Sequence, residues 1–175
     1  MAVLRRSISK PRPPLEYDPA RAARDAHRIA QNFTLRTIPL DVEGLAAALG
    51  LRVLRLPLEE RVSGFLRESA GIWEIGVNSL HHPNRQRFTL AHELGHYLLH
   101  RDHAPFEDGL LFRSDAKNAR EREANQFAAL VLMPDTEFRT ALSSGDIDSV
   151  ARTFGVSKQA AEYRRDSVIN SIGID

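Results

Sequence analysis

The chain has 175 residues, of which 42% are hydrophobic and 27% charged, so it is long enough to bury a core as one compact unit. Its 24 lysines and arginines nearly balance 23 aspartates and glutamates, and the net charge of +1 excludes a strong overall attraction to nucleic acid. The absence of cysteine excludes disulfides and thiolate chemistry. With no apolar leader and no run of transmembrane length, we expect a cytoplasmic protein.

The first predicted element follows a flexible tail. Residues 1–17 carry several basic side chains and three prolines with little apolar content, so we expect them to stay outside the fold. Asp18 is a suitable N-cap, and Pro19 favours the first turn of a helix. The sequence therefore predicts a helix from here to about Phe33.

A second helix and a small sheet follow. Residues 41–49 form the second predicted helix, closed by Gly50, and the alternation over residues 51–56 is typical of a strand. Residues 63–69 and 72–78 read as two strands joined near residues 70 and 71. We therefore expect a sheet of about three strands, directly before the next helix.

That next helix carries the most informative segment of the chain, His92-Glu93-Leu94-Gly95-His96. Residues four apart share a helical face, so His92 and His96 can bind one metal ion, and Glu93 can reach a water on that ion. Two ligands and a general base on one turn is the arrangement of zinc peptidases. The alternative is a helix that carries these residues by chance, but the apolar residues around them would then leave buried polar groups without a partner, and a metal supplies one.

A hydrolytic zinc site needs a third protein ligand. The candidates directly after the helix are His100, Asp102, His103, Glu107 and Asp108. Helical geometry places His100 too far along the axis for the same tetrahedral metal. Asp102 stands where the metzincin pattern would have a histidine, which argues against that subclass.

Residues 118–130 predict another helix, which Met133-Pro134 ends. Glu123 adjoins its apolar face, whereas Glu121 is expected to point away with the neighbouring arginines. A carboxylate on the buried side of a helix needs a cation. Glu123 is therefore the predicted third ligand, as in the gluzincin type of site.

Two further hypotheses concern the substrate. Zinc peptidases of this kind bind an extended peptide along an edge strand, and residues 72–78 are the predicted edge. Tyr97 and His103 are both candidates to stabilise the oxyanion, and their spacing does not choose between them.

The C-terminal segment has the spacing of a helix-turn-helix, with a turn at Gly155-Val156-Ser157 between residues 146–154 and 158–169. The second helix has a charge balance of only +1, and DNA binding relies on neutralising phosphates. Packing or substrate docking is therefore favoured over operator binding.

At this point the sequence resembles the ImmA/IrrE metallopeptidases. The resemblance rests on the block from Arg85 to His96, on His100, and on the block from Glu123 to Pro134, and it extends over residues 25–170. It implies metal ligands at His92, His96 and Glu123 and a general base at Glu93. It also implies cleavage of a helix-turn-helix transcriptional repressor, in phage-like immunity or stress responses.

The resulting prediction is an α+β zinc endopeptidase that uses Zn²⁺. Residues 1–17 form its tail, residues 18–134 the peptidase domain with the small sheet and the two site helices, and residues 135–175 a helix-turn-helix-like subdomain packed on it. The expected partner is a helix-turn-helix (Xre-like) repressor of a phage or mobile element, a toxin-antitoxin system or a stress response; no direct DNA binding is expected. Two other classes fit parts of the sequence: a DNA-binding regulator with a vestigial metal site, and a toxin or antitoxin component that acts by association.

Overall fold

The computed structural model describes residues 17–102 and 115–170, which form seven helices and one three-stranded sheet. This confirms the predicted α+β class. The elements in chain order are α1 Pro19–Asn32, α2 Val42–Ala48, β1 Arg52–Leu56, β2 Gly64–Ser69, β3 Ile72–Asn78, α3 Pro83–His100, α4 Asp115–Leu132, α5 Asp135–Ser144, α6 Ile147–Phe154 and α7 Lys158–Asn170.

Local sequence signals explain several helix ends. The side chain of Asp18 accepts a hydrogen bond from the backbone N–H of Arg21 at 2.9 Å, and Asp41 accepts one from Gly44 at the same distance. These caps satisfy backbone donors that have no partner inside the helix. At the C-terminal end of α6, Gly155 has a φ of 63°, the left-handed conformation that commonly ends a helix. The predicted starts of α1 and α2 and the turn before α7 are thus confirmed.

The sheet has the strand order β1-β3-β2. Strands β2 and β3 form the predicted antiparallel hairpin, and both residues of its turn, Ala70 and Gly71, have positive φ, which suits the twist of a two-residue hairpin. Strand β1 pairs with β3 in parallel. The prediction that residues 72–78 form an edge strand is therefore wrong, because β3 lies in the middle.

The error has a physical cause. The alternation along β3 resembled a strand with one polar face, yet the strand is covered on both faces. Glu74 is only 6% exposed and forms ion pairs with Arg52 and Arg67 on the flanking strands. Gly76 lies under the ring of Phe65. The ion-paired Glu74 and Gly76 thus give a buried central strand the sequence pattern of a strand with one exposed face.

Strand β2 lies against α3 at one close contact. A Cβ atom at Gly64 would lie 2.5 Å from the carbonyl oxygen of Gly76 and 2.5 Å from Cγ2 of Thr89, which stands one helical turn before Glu93. The missing side chain at Gly64 therefore sets how closely the sheet approaches the helix that carries the histidines.

We expect Gly64→Ala to lower the free energy of unfolding by roughly 1–3 kcal/mol, the usual cost of overpacking. The measurement is urea denaturation. Gly145→Ala is the matched control, because a Cβ there meets no atom closer than 3.6 Å. An alanine at residue 64 that is no more harmful than one at residue 145 would contradict this account of the sheet-to-helix contact.

Helices α5 to α7 share the hydrophobic core of the rest of the protein. Phe138, Phe154 and Val168 are buried in the same cluster as Leu94 and Phe127. Helices α6 and α7, which form the helix-turn-helix-like arrangement, thus contribute side chains to the same core cluster as α3 and α4. None of the helices in the described part of the chain is both long and apolar enough to cross a membrane.

Candidate metal centre

Helices α3 and α4 pack against each other at a glycine. A Cβ atom at Gly95 would lie 2.9 Å from the ring of Phe127 and 3.3 Å from backbone atoms of Ala124. Gly95 therefore lets the backbones approach closely at the level of the two motif histidines. The close approach brings side chains of α4 within reach of His92 and His96.

Three side chains converge at this contact: His92, His96 and Glu121. The Nε2 atoms of the two histidines are 3.0 Å apart. One carboxylate oxygen of Glu121 lies 3.4 Å from Nε2 of His92, and the other lies 3.4 Å from Nε2 of His96. The structure thus brings together the two predicted histidine ligands and a carboxylate.

The donor set fits a zinc ion. A tetrahedral zinc with bonds of about 2.0–2.1 Å has ligand atoms about 3.3–3.4 Å apart, close to the three distances found here. Imidazole nitrogen and carboxylate oxygen are both ordinary zinc ligands. Two nitrogen lone pairs that face each other beside a carboxylate also require a cation between them, whether a proton or a metal. Residues His92, His96 and Glu121 could therefore hold a metal.

The predicted ligand Glu123 has a different position. Its Oε2 lies 2.8 Å from Nε2 of His100, while Glu121 occupies the place beside the pair. The prediction that Glu121 points away from the site does not match the structure. Glu121 begins the row of α4 that faces α3, because the residues three, four and seven positions later are Ala124, Asn125 and Ala128. This spacing is the feature of the sequence that could have indicated Glu121 as a site residue.

Hydrogen bonds hold both histidine rings in orientation. Nδ1 of His92 lies 2.9 Å from Oδ1 of Asn125, a position that the sequence reasoning did not identify. Nδ1 of His96 lies 3.1 Å from Nδ1 of His100. With Nδ1 engaged in this way, each ring directs Nε2 toward the centre. Metal-binding histidines usually have such a partner on the second nitrogen.

The charges of the centre are coupled. Hydrogen bonds from His92 and His96 hold the pKa of Glu121 far below its usual range. Burial acts to lower the pKa of His92, but the hydrogen bond to Glu121 and the charge of Glu93 raise it above its ordinary value. The cluster therefore keeps Glu121 ionised and attracts positive charge, as a cation site must.

Glu93 lies on α3 beside His92 and is partly buried. Its charge acts on the pKa of His92, which places it in the electrostatic environment of the centre. The candidate Tyr97 packs edge-on against Trp73, with ring centroids 5.5 Å apart, and lies under the guanidinium of Arg101. Asp102 is exposed beside Arg101. The other candidates His103, Glu107 and Asp108 lie outside the described residues.

Comparison with known proteins gives the class. Residues 46–165 match the peptidase family described as the IrrE N-terminal-like domain, and because the match covers more than half of the sequence, the chain belongs to this metallopeptidase family. A comparison with curated proteins finds no significant match.

A Mycobacterium tuberculosis transcriptional regulator of known structure is similar in fold, with a TM-score of 0.60 and 23% sequence identity. The alignment covers 82% of this chain and 46% of that protein, so the chain spans about half the length of the regulator. At this identity the similarity concerns the fold alone.

Proposed function

We propose that the protein is a zinc-dependent endopeptidase whose metal ligands are His92, His96 and Glu121 and whose general base is Glu93. The observation that carries the proposal is the convergence of three side chains: the two histidine Nε2 atoms are 3.0 Å apart, and each lies 3.4 Å from one carboxylate oxygen of Glu121, with Glu93 on the same helical turn as His92. Membership of a metallopeptidase family supports it independently.

The residues of the centre divide the chemistry between them. A zinc ion held there would supply a Lewis acid that polarises the scissile carbonyl and lowers the pKa of water to about 7. Glu93 takes the proton from the attacking water and delivers it to the leaving amine. Asn125 fixes the ring of His92, so that its Nε2 stays directed at the centre.

The edge available for a substrate strand is β2 rather than β3. Strand β2 is paired on one side only within the described residues, and Gly64 at its start contacts Thr89 on α3. A peptide added beside β2 would pair through its backbone and run past the helix that carries Glu93. This mode of binding gives affinity without strong sequence selection.

Selection can come from a groove of about 1010 Å³ between α3, α4 and the C-terminal helices. Asn125 lines the groove and also bonds His92, so the groove adjoins the proposed centre. Among the described residues the lining contains no acidic side chain. Arg85 and Arg122 lie there among apolar side chains, which include Phe88, Leu130, Met133, Val156 and Tyr163. An apolar surface with basic residues suits an amphipathic segment of a protein substrate that carries acidic side chains.

The basic side chains of α7 favour a protein ligand over DNA. Each basic side chain of α7 is engaged within the molecule: Lys158 with Asp148, Arg165 with Asp166, and the buried Arg164 with Asp135 and the carbonyl of Met133. Phosphate contacts would have to compete with these ion pairs. We infer that the substrate is a protein, and the family resemblance indicates a helix-turn-helix repressor of a phage, mobile-element, toxin-antitoxin or stress response.

The test is to incubate the protein with the helix-turn-helix repressor encoded next to its gene, with and without a chelator. We expect loss of the repressor band on a gel, abolished by the chelator and restored by added Zn²⁺. An intact repressor in both reactions, together with salt-sensitive binding of the chain to operator DNA, would support the regulator alternative instead.

The position of the groove leads to a separate prediction about how the protein substrate is selected. Tyr163 lines the groove and is 75% exposed, so Tyr163→Ala removes contact area without opening the core. We expect the variant to lose cleavage of the folded repressor while it cleaves a short peptide spanning the same bond as well as the wild type does. Ile169→Ala is the control, because Ile169 is exposed on the same helix and does not line the groove. Equal effects on both substrates would contradict a docking role.

A further inference from the structure

Behind His96, buried polar side chains continue in a row that leads away from the proposed centre. Nδ1 of His96 lies 3.1 Å from Nδ1 of His100, and Nε2 of His100 lies 2.8 Å from Oε2 of Glu123. The side chain of His100 is completely buried and that of Glu123 is 28% exposed. The ring of Tyr17 packs edge-on against His100, with centroids 5.0 Å apart. The imidazoles of His96 and His100 are buried, so their hydrogen-bond partners have to lie inside the protein.

The positions of the protons follow from the chemistry of the partners. A carboxylate only accepts hydrogen bonds, so Nε2 of His100 must carry the proton that it donates to Glu123. Two imidazole nitrogens at 3.1 Å cannot both present a lone pair, so one of the two Nδ1 atoms is protonated. In neutral His100 the single proton is on Nε2, and its Nδ1 therefore accepts from Nδ1–H of His96.

We propose that Glu123 and His100 are positioning residues that fix His96 as the Nδ1–H tautomer, so that its Nε2 lone pair points at the metal centre. The inference rests on the proposed metal site and adds two residues to it that lie outside the ligand set. The opposite tautomer of His96 would direct an N–H at His92 and Glu121 and could not bind a metal through Nε2. The row thus sets the ligand in its binding form before the metal arrives.

Two variants of His100 separate this role from simple packing. Leucine fills the space but offers no acceptor, whereas the side-chain oxygen of asparagine lies near the place of Nδ1 and can still accept from His96. We expect His100→Leu to weaken zinc affinity by roughly 10–100-fold, the usual effect of losing an outer partner of a ligand. His100→Asn should retain more affinity than His100→Leu. A packing role predicts the reverse order, since leucine leaves the smaller void.

The measurement is a competition titration of the full-length metal-depleted protein with Zn²⁺ and a chromophoric chelator, after melting curves have shown which variants fold. Zinc bound by the wild type and lost in Glu121→Gln establishes the centre itself. Wild-type affinity in His100→Leu would then overturn the positioning role and leave the metal site intact. A wild type that binds no zinc would overturn both.

A second measurement needs no substitution. Long-range ¹H–¹⁵N spectra of the metal-depleted wild type report which nitrogen of each imidazole carries a proton. We expect protons on Nδ1 of His96 and on Nε2 of His100. A proton on Nε2 of His96, or on Nδ1 of His100, would overturn the inference even if His100→Leu failed to fold.

Discussion

Glu121→Gln is expected to remove most of the zinc-binding capacity of the protein. The carboxylate of Glu121 lies 3.4 Å from both histidine nitrogens, and glutamine keeps the shape but loses the negative charge that attracts the cation. The loss of affinity should exceed the roughly 10–100-fold that is typical for partners outside the ligand set. Zinc content by atomic absorption and affinity by chelator competition both measure it.

Stability should change together with metal content. A ligand present at about 100 times its Kd stabilises the folded state by about 2.7 kcal/mol, so the wild type should melt at a higher temperature with zinc than with a chelator. In Glu121→Gln this difference should largely disappear. The melting temperature in chelator should stay near that of the wild type, because the side chain of Glu121 is 47% exposed and carries little packing.

Glu123→Gln is the matched control two residues away. The amide oxygen of glutamine can still accept the hydrogen bond from His100, so this variant should lose less zinc affinity than Glu121→Gln. If Glu123→Gln loses zinc while Glu121→Gln retains it, the sequence-based choice of Glu123 was correct and the geometric one is wrong.

The contrast between Glu121 and Glu123 shows what sequence patterns resolve. The pair His92 and His96 could be assigned because both lie on one helix, where a spacing of four residues fixes their relation. The proposed third ligand lies on a different helix, and its choice depends on which row of α4 meets α3. That row is set by the contact of Gly95 with Ala124 and Phe127, a tertiary contact that no local pattern contains.

In the sheet, too, local features were predicted from the sequence and the long-range pairing was not. The hairpin of β2 and β3 was predicted correctly because its turn residues and its alternation are adjacent in sequence. The parallel pairing of β1 with β3 joins residues 22 positions apart, such as Arg52 and Glu74, and it makes β3 the central strand instead of an edge. Because the charged residue Glu74 is buried in ion pairs, the polarity of the β3 sequence does not indicate that the strand is buried.

The hydrogen-bonded row from Glu123 through His100 to His96 was also not predicted from the sequence. The prediction excluded His100 as a ligand because it lies a full turn beyond His96, and that reasoning agrees with its position behind the centre. Its place between His96 and Glu123 depends on the same packing of α3 on α4 that selects Glu121. One interhelical contact therefore accounts for the proximity of Glu121 to His92 and His96 and for the row behind His96.

Glu93→Gln should abolish cleavage of the repressor while preserving the fold and the bound zinc. Glutamine has nearly the same shape as glutamate but cannot accept the proton of the attacking water, so only the acid–base step is lost. General acid–base catalysis contributes about 10²–10⁴-fold, and we expect the rate of cleavage to fall within or beyond that range. The assay is the rate of repressor loss at equal zinc content for wild type and variant.

This substitution also separates the roles proposed for Glu93 and Glu121. Glu121→Gln should fail because zinc is absent, and excess Zn²⁺ should restore part of its activity by mass action. Glu93→Gln should fail with zinc in place, and added metal should restore nothing. If Glu93→Gln retains more than about a hundredth of wild-type cleavage at full zinc occupancy, another group accepts the proton, because the loss would then fall below the range of general-base catalysis.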